Sequence, residues 1–460
     1  MTEPDTSRSW LATCAALVLL AAAVRGASFW LAPPLELVGD ELYYAQVARN
    51  LVHGEGHVFH EAGGPSLRAW RPPGQALTLA AVLDRETASG LDTSVHGAGR
   101  LVALQIALGS LLAAAAAVLG GLLFDRRVGT LAGLLVATYP TLIAFSHYLW
   151  SETLTALLLT AGLAAAVQYR LAPSPARAVA TGLLLGAATL VREIALGVAL
   201  ACAWWWWREA PPQQRRRSLA HAGLMAAVAT VCVAPWTLHN VRALDRFVPL
   251  STIGWFATAE GNTFEAADWL RSTGPAHLAF TQRYFGLGDE LARSDLARRH
   301  ALAAIVAEQP LWTAKKAIRN GALLLSPDSY LLFKQSVGAY GEISPTVRGL
   351  SVAAVTLGWA VVALLGALGL AVARASERRL AIAVLAVPLL VHLISNATSR
   401  FRIPWLGLWL VFAALGAREL PRARERWEHL PLGARAALVG FLAFVFGVAF
   451  PYFAEYGGRR

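Results

Sequence analysis

Leu37-Val38-Gly39-Asp40-Glu41-Leu42-Tyr43-Tyr44 places two adjacent carboxylates behind an apolar run, Trp10–Ala32, that is long enough to cross a bilayer. A polar segment follows and ends in Trp70-Arg71-Pro72-Pro73-Gly74, after which the chain turns apolar again. An acidic pair in that position marks the point where a membrane helix leaves the lipid. The rest of the 460-residue chain fits that setting, being 56% hydrophobic and 15% charged, against about 25% charged in an average soluble domain. Apolar blocks of about 15–22 residues recur along its length, continuous and Leu/Ala-rich rather than alternating, which predicts a polytopic all-α membrane protein and not a β-barrel. The net charge of +11 would suggest nucleic acid for a soluble chain. Here most Arg residues lie in short loops between apolar runs, where membrane orientation accounts for them, and no nucleic-acid partner is expected. Cys14, Cys202 and Cys232 all fall inside apolar runs and read as free buried thiols.

The first run continues past Arg25 through Phe29-Trp30-Leu31 and reads as an uncleaved anchor. Residues 33–99 are too long for a simple connector. They contain an amphipathic segment, Asp40–Leu51, and an apolar stretch, Gly74–Leu83, both read as interfacial helices. Further spans are expected at Leu101–Phe124, Val128–Ser146 and Glu152–Tyr169. The stretch Arg177–Trp207 is interrupted by Arg192-Glu193 and is read as two spans. With the N-terminus cytoplasmic, that choice collects Arg126 and Arg127, Arg170 and Arg177, Arg208 and Arg215–Arg217, Arg374, Arg378 and Arg379, and Arg418 to Arg426 in inside loops. Each half of about 15 residues reaches only about 22 Å at 1.5 Å per residue, so Arg192-Glu193 is expected in a cavity below the outer surface. Leu219–Leu238, Leu350–Ala373, Leu380–Ile394, Ile403–Ala417 and Ala434–Phe453 complete a set of about eleven spans. The organisation expected is an N-terminal transmembrane module, 1–239, including the outer loop 33–99; a small extracytoplasmic domain, 240–349, with helical periodicity over Asp289–Glu308; and C-terminal transmembrane helices, 350–460.

Several polar residues are candidates for chemistry. A carboxylate near the membrane surface within reach of a hydroxyl acts as a general base, and a second beside it tunes the first or shares a divalent ion. Asp40 and Glu41 equally suit a helix N-terminus whose dipole favours acids. Glu152, after Tyr148-Leu149-Trp150-Ser151, has the same two readings, and His147, one turn earlier, joins Glu41 and Glu152 as a candidate metal ligand. Arg192-Glu193 is an intramembrane ionisable pair, by default a functional site and otherwise an ion pair stabilising a helix break. Arg71, Arg400 and Arg402 present guanidinium forks that fit phosphate oxygens, although any one alone is more often a surface charge. No P-loop, nucleotide-binding Gly-rich unit or Cys/His zinc pattern is present, so an ATP or nucleotide-sugar site is not expected.

The order of these motifs resembles the GT-C glycosyltransferases, most of all the bacterial group similar to dolichyl-phosphate-mannose protein mannosyltransferases and the lipid A aminoarabinose transferase. The resemblance rests on Gly39-Asp40-Glu41-Leu42-Tyr43-Tyr44, Ala48-Arg49-Asn50-Leu51, Arg71-Pro72-Pro73-Gly74, Ser151-Glu152-Thr153, Arg192-Glu193, Ala234–Asn240, Gly261-Asn262 and Arg400-Phe401-Arg402-Ile403-Pro404. His239 and Phe401 stand where that group commonly has Arg and Tyr. The resemblance implies a GT-C-like bundle and a sugar donor on a polyprenyl phosphate. It implies Asp40 as catalytic base, with Glu41 and Glu152 as supporting carboxylates that orient the acceptor or hold a divalent metal ion. Arg71, Arg192, Arg400 and Arg402 would hold the donor phosphate, and Tyr43, Tyr44, Glu193 and Asn262 would contact substrate. The acceptor would be a glycan, lipid or protein hydroxyl outside the cell membrane. A transporter or flippase of a lipid-linked or anionic substrate is the alternative, and a scaffold with a dead site is a third.

Overall fold

The computed structural model describes residues 4–263, 274–307, 309–328 and 330–457, and the fold is all-α apart from a two-residue hairpin pairing Phe59–His60 with Ser66–Leu67. Among the described residues, seven helical segments are long and apolar enough to cross a membrane, beginning with Arg8–Leu31 and ending with Leu432–Glu455. The remaining expected spans are helical but fall outside that set of seven. Val128–Ser146 is two helices, Arg126–Thr138 and Pro140–Phe145, because Pro140 lacks the N–H that a continuous helix needs and instead opens the second one. Arg177–Trp207 is likewise two helices, Pro175–Val191 and Ala195–Glu209, separated at Arg192-Glu193. Ala375–Ile394 is a continuous helix that carries Pro388 inside it.

The bundle core is Ala- and Leu-rich, and one close helix crossing within it is made by glycine. Gly369, in Pro345–Val372, faces the carbonyl of Phe412, and Gly416, in Leu406–Glu419, faces the carbonyl of Leu365. A side chain at either position would collide with backbone, so this pair sets the spacing of the two helices.

In the loop 33–99, the amphipathic segment is the helix Asp40–His53, and Gly74–Ala80 forms the second expected helix. Its inner face (Tyr43, Tyr44, Val47, Ala48) packs with Ala76 and Leu79 on Leu101, Val102 and Leu149 of the bundle. Residues 240–349 hold the helices Ile253–Asn262, Pro275–Phe285, Glu290–Ala307, Leu311–Leu325 and Tyr330–Ser336. The periodicity expected over Asp289–Glu308 corresponds to Glu290–Ala307; Glu308 lies outside the described residues. This region leans on the first loop. The Glu290 carboxylate accepts from the amides of Arg68 and Ala69 and from Thr252 Oγ1, and Arg293 pairs with Glu61 at 2.6 Å.

Gly369→Val or Gly416→Val will force the two core helices apart at a cost of about 1–3 kcal/mol. Thermal unfolding of the detergent-purified protein reads this as a lowered midpoint. Gly433→Ala, at a glycine with open space around its Cα, is the control expected to match the parent.

Candidate active site at one end of the bundle

Asp40 is the first residue of its helix. Gly39, with φ +63° and ψ −122°, supplies a backbone conformation that side-chain-bearing residues avoid, and this turn delivers Asp40 to the positive end of the helix. Four other charged side chains meet it from distant parts of the chain. Arg71 precedes the helix Gly74–Ala80, Glu152 opens the helix Glu152–Leu171, Arg192 caps Pro175–Val191, and Arg400 lies in the 3₁₀ segment Ser399–Trp405.

Together they form a row of alternating charge: Arg71, Asp40, Arg400, Glu152, Arg192. Arg71 Nη2 donates to Asp40 Oδ1 at 2.7 Å, and Arg400 Nη2 donates to Asp40 Oδ2 at 2.6 Å. Arg400 Nε and Arg192 Nη1 both donate to Glu152 Oε1, and Arg192 Nη1 also reaches Ser151 Oγ at 3.3 Å. Aromatic rings back each guanidinium: Trp70 at 4.8 Å for Arg71, Trp150 at 4.2 Å for Arg400 and Phe401 at 5.4 Å for Arg192. Exposure is graded. The Asp40 side chain is 21% exposed and that of Arg192 21%, whereas Glu152 is fully buried. The row is therefore partly exposed at Asp40 and Arg192 and sealed at Glu152.

Burial alone would push the Asp40 carboxyl up. Arg71 and Arg400 outweigh it and hold the group well below the usual carboxylate range. Three guanidiniums against two carboxylates leave the row with one surplus positive charge. Glu193, beside it, is turned to Ser251 Oγ. As arranged, guanidinium nitrogens occupy both oxygens of Asp40 and one oxygen of Glu152, which leaves the buried Glu152 Oε2 as the single carboxylate oxygen of the row open to a cation. The set suits an anion instead.

The structure brings Asp40, Arg71, Glu152, Arg192 and Arg400 together and leaves other candidates elsewhere. Glu41 points away from Asp40, as neighbours on a helix do, and its fully buried carboxylate accepts from Val38 N at 2.8 Å, from Leu149 N at 3.1 Å and from Lys334 Nζ. His147 Nε2 lies 3.0 Å from the Arg25 carbonyl, so Glu41, Glu152 and His147 sit on three separate sets of partners. No group of three or more His, Cys, Asp or Glu able to hold a metal occurs among the described residues. Arg402 donates to the carbonyls of Leu324 and Ser326 and covers the Trp359 ring at 3.9 Å. It lines an apolar cavity of about 390 Å³ between Pro345–Val372, Ala375–Ile394 and Leu432–Phe444, apart from the charged row. Asn262 joins the carbonyls of Thr258 and Ile394 to Lys316. Tyr43 is buried among Tyr44, Phe59 and Trp70, and both tyrosine rings border the Arg71 guanidinium, at 5.7 Å for Tyr43 and 5.9 Å for Tyr44.

Sequence reasoning passed over Lys334 and Tyr330, whose ring lies 5.6 Å from the Arg400 guanidinium. The one available signal was a single cation ending an otherwise apolar run, Tyr330-Leu331-Leu332-Phe333-Lys334.

No protein-family model and no curated protein matches the sequence, but solved structures match the fold. The archaeal oligosaccharyltransferase AglB from Archaeoglobus fulgidus, in complex with an inhibitory peptide and a dolichol-phosphate, aligns with a TM-score of 0.56 at 15% identity, over 98% of this chain and 56% of that one. The Archaeoglobus fulgidus oligosaccharyltransferase in the apo form aligns at 0.55, also with 15% identity and over the same shares. ArnT from Cupriavidus metallidurans in the apo state covers 91% of this chain and 78% of its own at 17% identity, with a TM-score of 0.39, too low to bear on the fold. The chain thus spans just over half the length of the oligosaccharyltransferase, and what the two have in common is the fold, the GT-C-like membrane bundle expected from the motif order.

Glu152→Ala will leave Arg192 and Arg400 facing each other without their buried counter-charge. Stability should fall by about 3–5 kcal/mol, the usual cost of breaking a buried pair from one side, measured as a lowered unfolding midpoint in detergent.

Proposed function

We propose that this chain is an inverting glycosyltransferase of the cell (inner) membrane that moves a sugar from a polyprenyl-phosphate donor to an acceptor hydroxyl at the outer membrane–water interface. The observation that carries this reading is the row Arg71–Asp40–Arg400–Glu152–Arg192: a partly exposed carboxylate flanked by guanidiniums, with one positive charge in excess, at one end of a membrane bundle. The N-terminus is assigned to the cytoplasm from the distribution of loop arginines, which puts the row on the extracytoplasmic side. The acceptor is a glycan, lipid or protein hydroxyl.

In the proposed reaction the acceptor oxygen attacks the anomeric carbon on the face opposite the lipid phosphate. Asp40 takes the hydroxyl proton as the new C–O bond forms. The bond from the anomeric carbon to the phosphate oxygen breaks, and its electron pair leaves with the lipid phosphate. Arg71, Arg192 and Arg400 meet the charge that grows there. A carboxylate doubly paired with arginine is a poor base, so the donor has a second effect. Its phosphate competes for Arg71 and Arg400, and as they turn to it Asp40 is released to accept a proton. Glu152, buried and carrying two guanidiniums, orients them and makes no direct contact with substrate. Arg402, whose Nη1 is held by two backbone carbonyls beside a separate cavity, is not given a part in the proposed step.

Asp40→Asn is expected to lower sugar transfer from a polyprenyl-phosphate donor by about 10²–10⁴-fold, assayed in proteoliposomes with mass analysis of the product. Full-rate transfer by this variant sinks the base assignment. Movement of the lipid across the bilayer with no chemical change would favour the transporter reading.

The acid limb of kcat/KM tests the electrostatics, because it reports groups of the free enzyme. With Asp40 held below its ordinary value of about 3.9, the group stays ionised as pH falls through that value and loses its charge only lower. Arg71→Ala removes one of the charges holding it down, so the limb assigned to Asp40 should move to higher pH. An unmoved limb in that variant would show that another group sets it.

A further inference from the structure

The pair formed by Lys334 and Glu41 lies beside the charged row and is used by none of the steps above. Lys334 belongs to the short helix Tyr330–Ser336, nearly 300 positions along the chain from Glu41, and both side chains are fully buried. Each has a reason to be there. Glu41 Oε1 accepts the Leu149 amide, and Glu41 Oε2 accepts the Val38 amide together with Lys334 Nζ. The ammonium lies over the Tyr148 ring at 4.0 Å and 5.6 Å from the Trp150 ring. The Trp150 ring in turn backs the Arg400 guanidinium at 4.2 Å.

The same contact is extended on both sides. The carbonyl of Ala339 accepts from the amides of Leu35 and Glu36, and the hydroxyls of Tyr148 and Tyr340 are 2.9 Å apart. Gly338 and Gly341, both at positive φ, shape the turn that makes this approach possible. Segment 330–341 is thus pressed onto the two stretches that present the carboxylates of the row, 35–41 leading through Asp40 and 148–150 leading to Glu152.

We propose that Lys334 is a positioning residue for the transfer reaction, holding Glu41 so that the segments carrying Asp40 and Trp150-Ser151-Glu152 keep the spacing that lets Arg400 span both carboxylates. This rests on the function proposed above. It assigns Glu41 a different role from the acceptor-orienting one implied by its place next to Asp40: Glu41 is the hub that Lys334 grips, and it touches neither donor nor acceptor. It also gives the region 240–349 a part in the chemistry of the first loop.

The reasoning is geometric. Arg400 contacts Asp40 through Nη2 and Glu152 through Nε, so a shift of either carboxylate breaks one end of the row. Two anchors fix the carboxylates: the Val38 amide immediately before Gly39-Asp40, and the Leu149 amide immediately before Trp150-Ser151-Glu152. Glu41 holds both amides, and without Lys334 its buried charge has no counter-ion in this cluster.

The test uses the full-length protein carrying Lys334→Met, and Lys334→Arg as the charge-conserving variant. Hydrogen exchange in detergent, with no substrate present, reads the latch itself. Peptides covering residues 36–44 and 147–152 should exchange at least about tenfold faster in Lys334→Met than in the parent, and close to the parent rate in Lys334→Arg. Sugar transfer in proteoliposomes reads the consequence. In Lys334→Met kcat should fall by about 10–100-fold, the range expected for a misplaced catalytic group, with donor KM within about twofold of the parent, and Lys334→Arg should restore much of it. A brace with a structural role alone would lower yield and unfolding midpoint while leaving the exchange of these two segments and the kcat of the folded protein unchanged, and that result overturns the proposal. If Lys334→Met does not fold, Lys334→Gln carries the test: exchange of both segments and kcat identical to the parent in that variant overturn it. Altered exchange with no transfer activity in the parent protein would leave the latch standing and remove the glycosyltransferase reading instead.

Discussion

One guanidinium holds the site together. Arg400 reaches Asp40 through one nitrogen and Glu152 through another, joining a helix that begins in the first long loop, a helix of the bundle and the 3₁₀ turn before Leu406–Glu419. Each partner would be costly to leave at this depth alone. The five charges therefore constrain one another: none can relax without exposing a neighbour, and the segments carrying them are held in one arrangement. A packed apolar contact between the same segments would tolerate sliding, whereas paired charges with defined donors and acceptors do not.

The two carboxylates of the row are chemically alike and are separated by environment. Glu152 is sealed beneath two guanidiniums and opens a helix that runs through the core. Asp40 keeps a fifth of its side chain open and stands at a helix N-terminus, next to a turn that only glycine makes easily. A group that exchanges a proton with a ligand must be reachable, whereas a group that orients arginines is best left dry. The division of labour proposed for the two rests on this difference in burial.

The bundle was legible in the sequence because lipid imposes a strong rule: every backbone polar group in a span must be satisfied within it, so apolar helices write themselves as continuous runs. The break at Arg192-Glu193 was legible for the same reason, since two charges have no place inside a run. Pro140 was present in the sequence, yet the span Val128–Ser146 still read as continuous, because the apolar run does not pause there. The first-loop carboxylate and the arginines at 71, 192 and 400 could be picked out by residue type and order. Their pairing could not, because it depends on where the elements come to rest. Arg402 shows the limit: two residues from Arg400 and of the same type, it turns to the opposite side of a 3₁₀ segment and ends on backbone carbonyls. Glu41 shows it again: helix geometry alone already turns it away from Asp40, but the Lys334 and the two amides that meet it there are set by the fold. Lys334 carried almost no signal, because a buried lysine is recognisable only once its carboxylate is known.

The position of the row along the helices bears on what kind of process it serves. Four of its five members sit at the first residue of one helix, the first of another, the cap of a third and the turn before a fourth, and Arg71 lies in the loop just before Gly74–Ala80. A site for alternating access is usually built near the membrane midplane, from helices interrupted in corresponding places of two related halves. Here Pro175–Val191 and Ala195–Glu209 are separated by a charged break, while Arg215–Leu244 and Ala375–Ile394 run on through Pro235 and Pro388. Charges gathered near helix ends, with three guanidiniums to two carboxylates, suit an anion, which in the proposed function is the phosphate of the donor. This placement at helix ends is what supports the proposed reaction at the interface over passage through the bilayer.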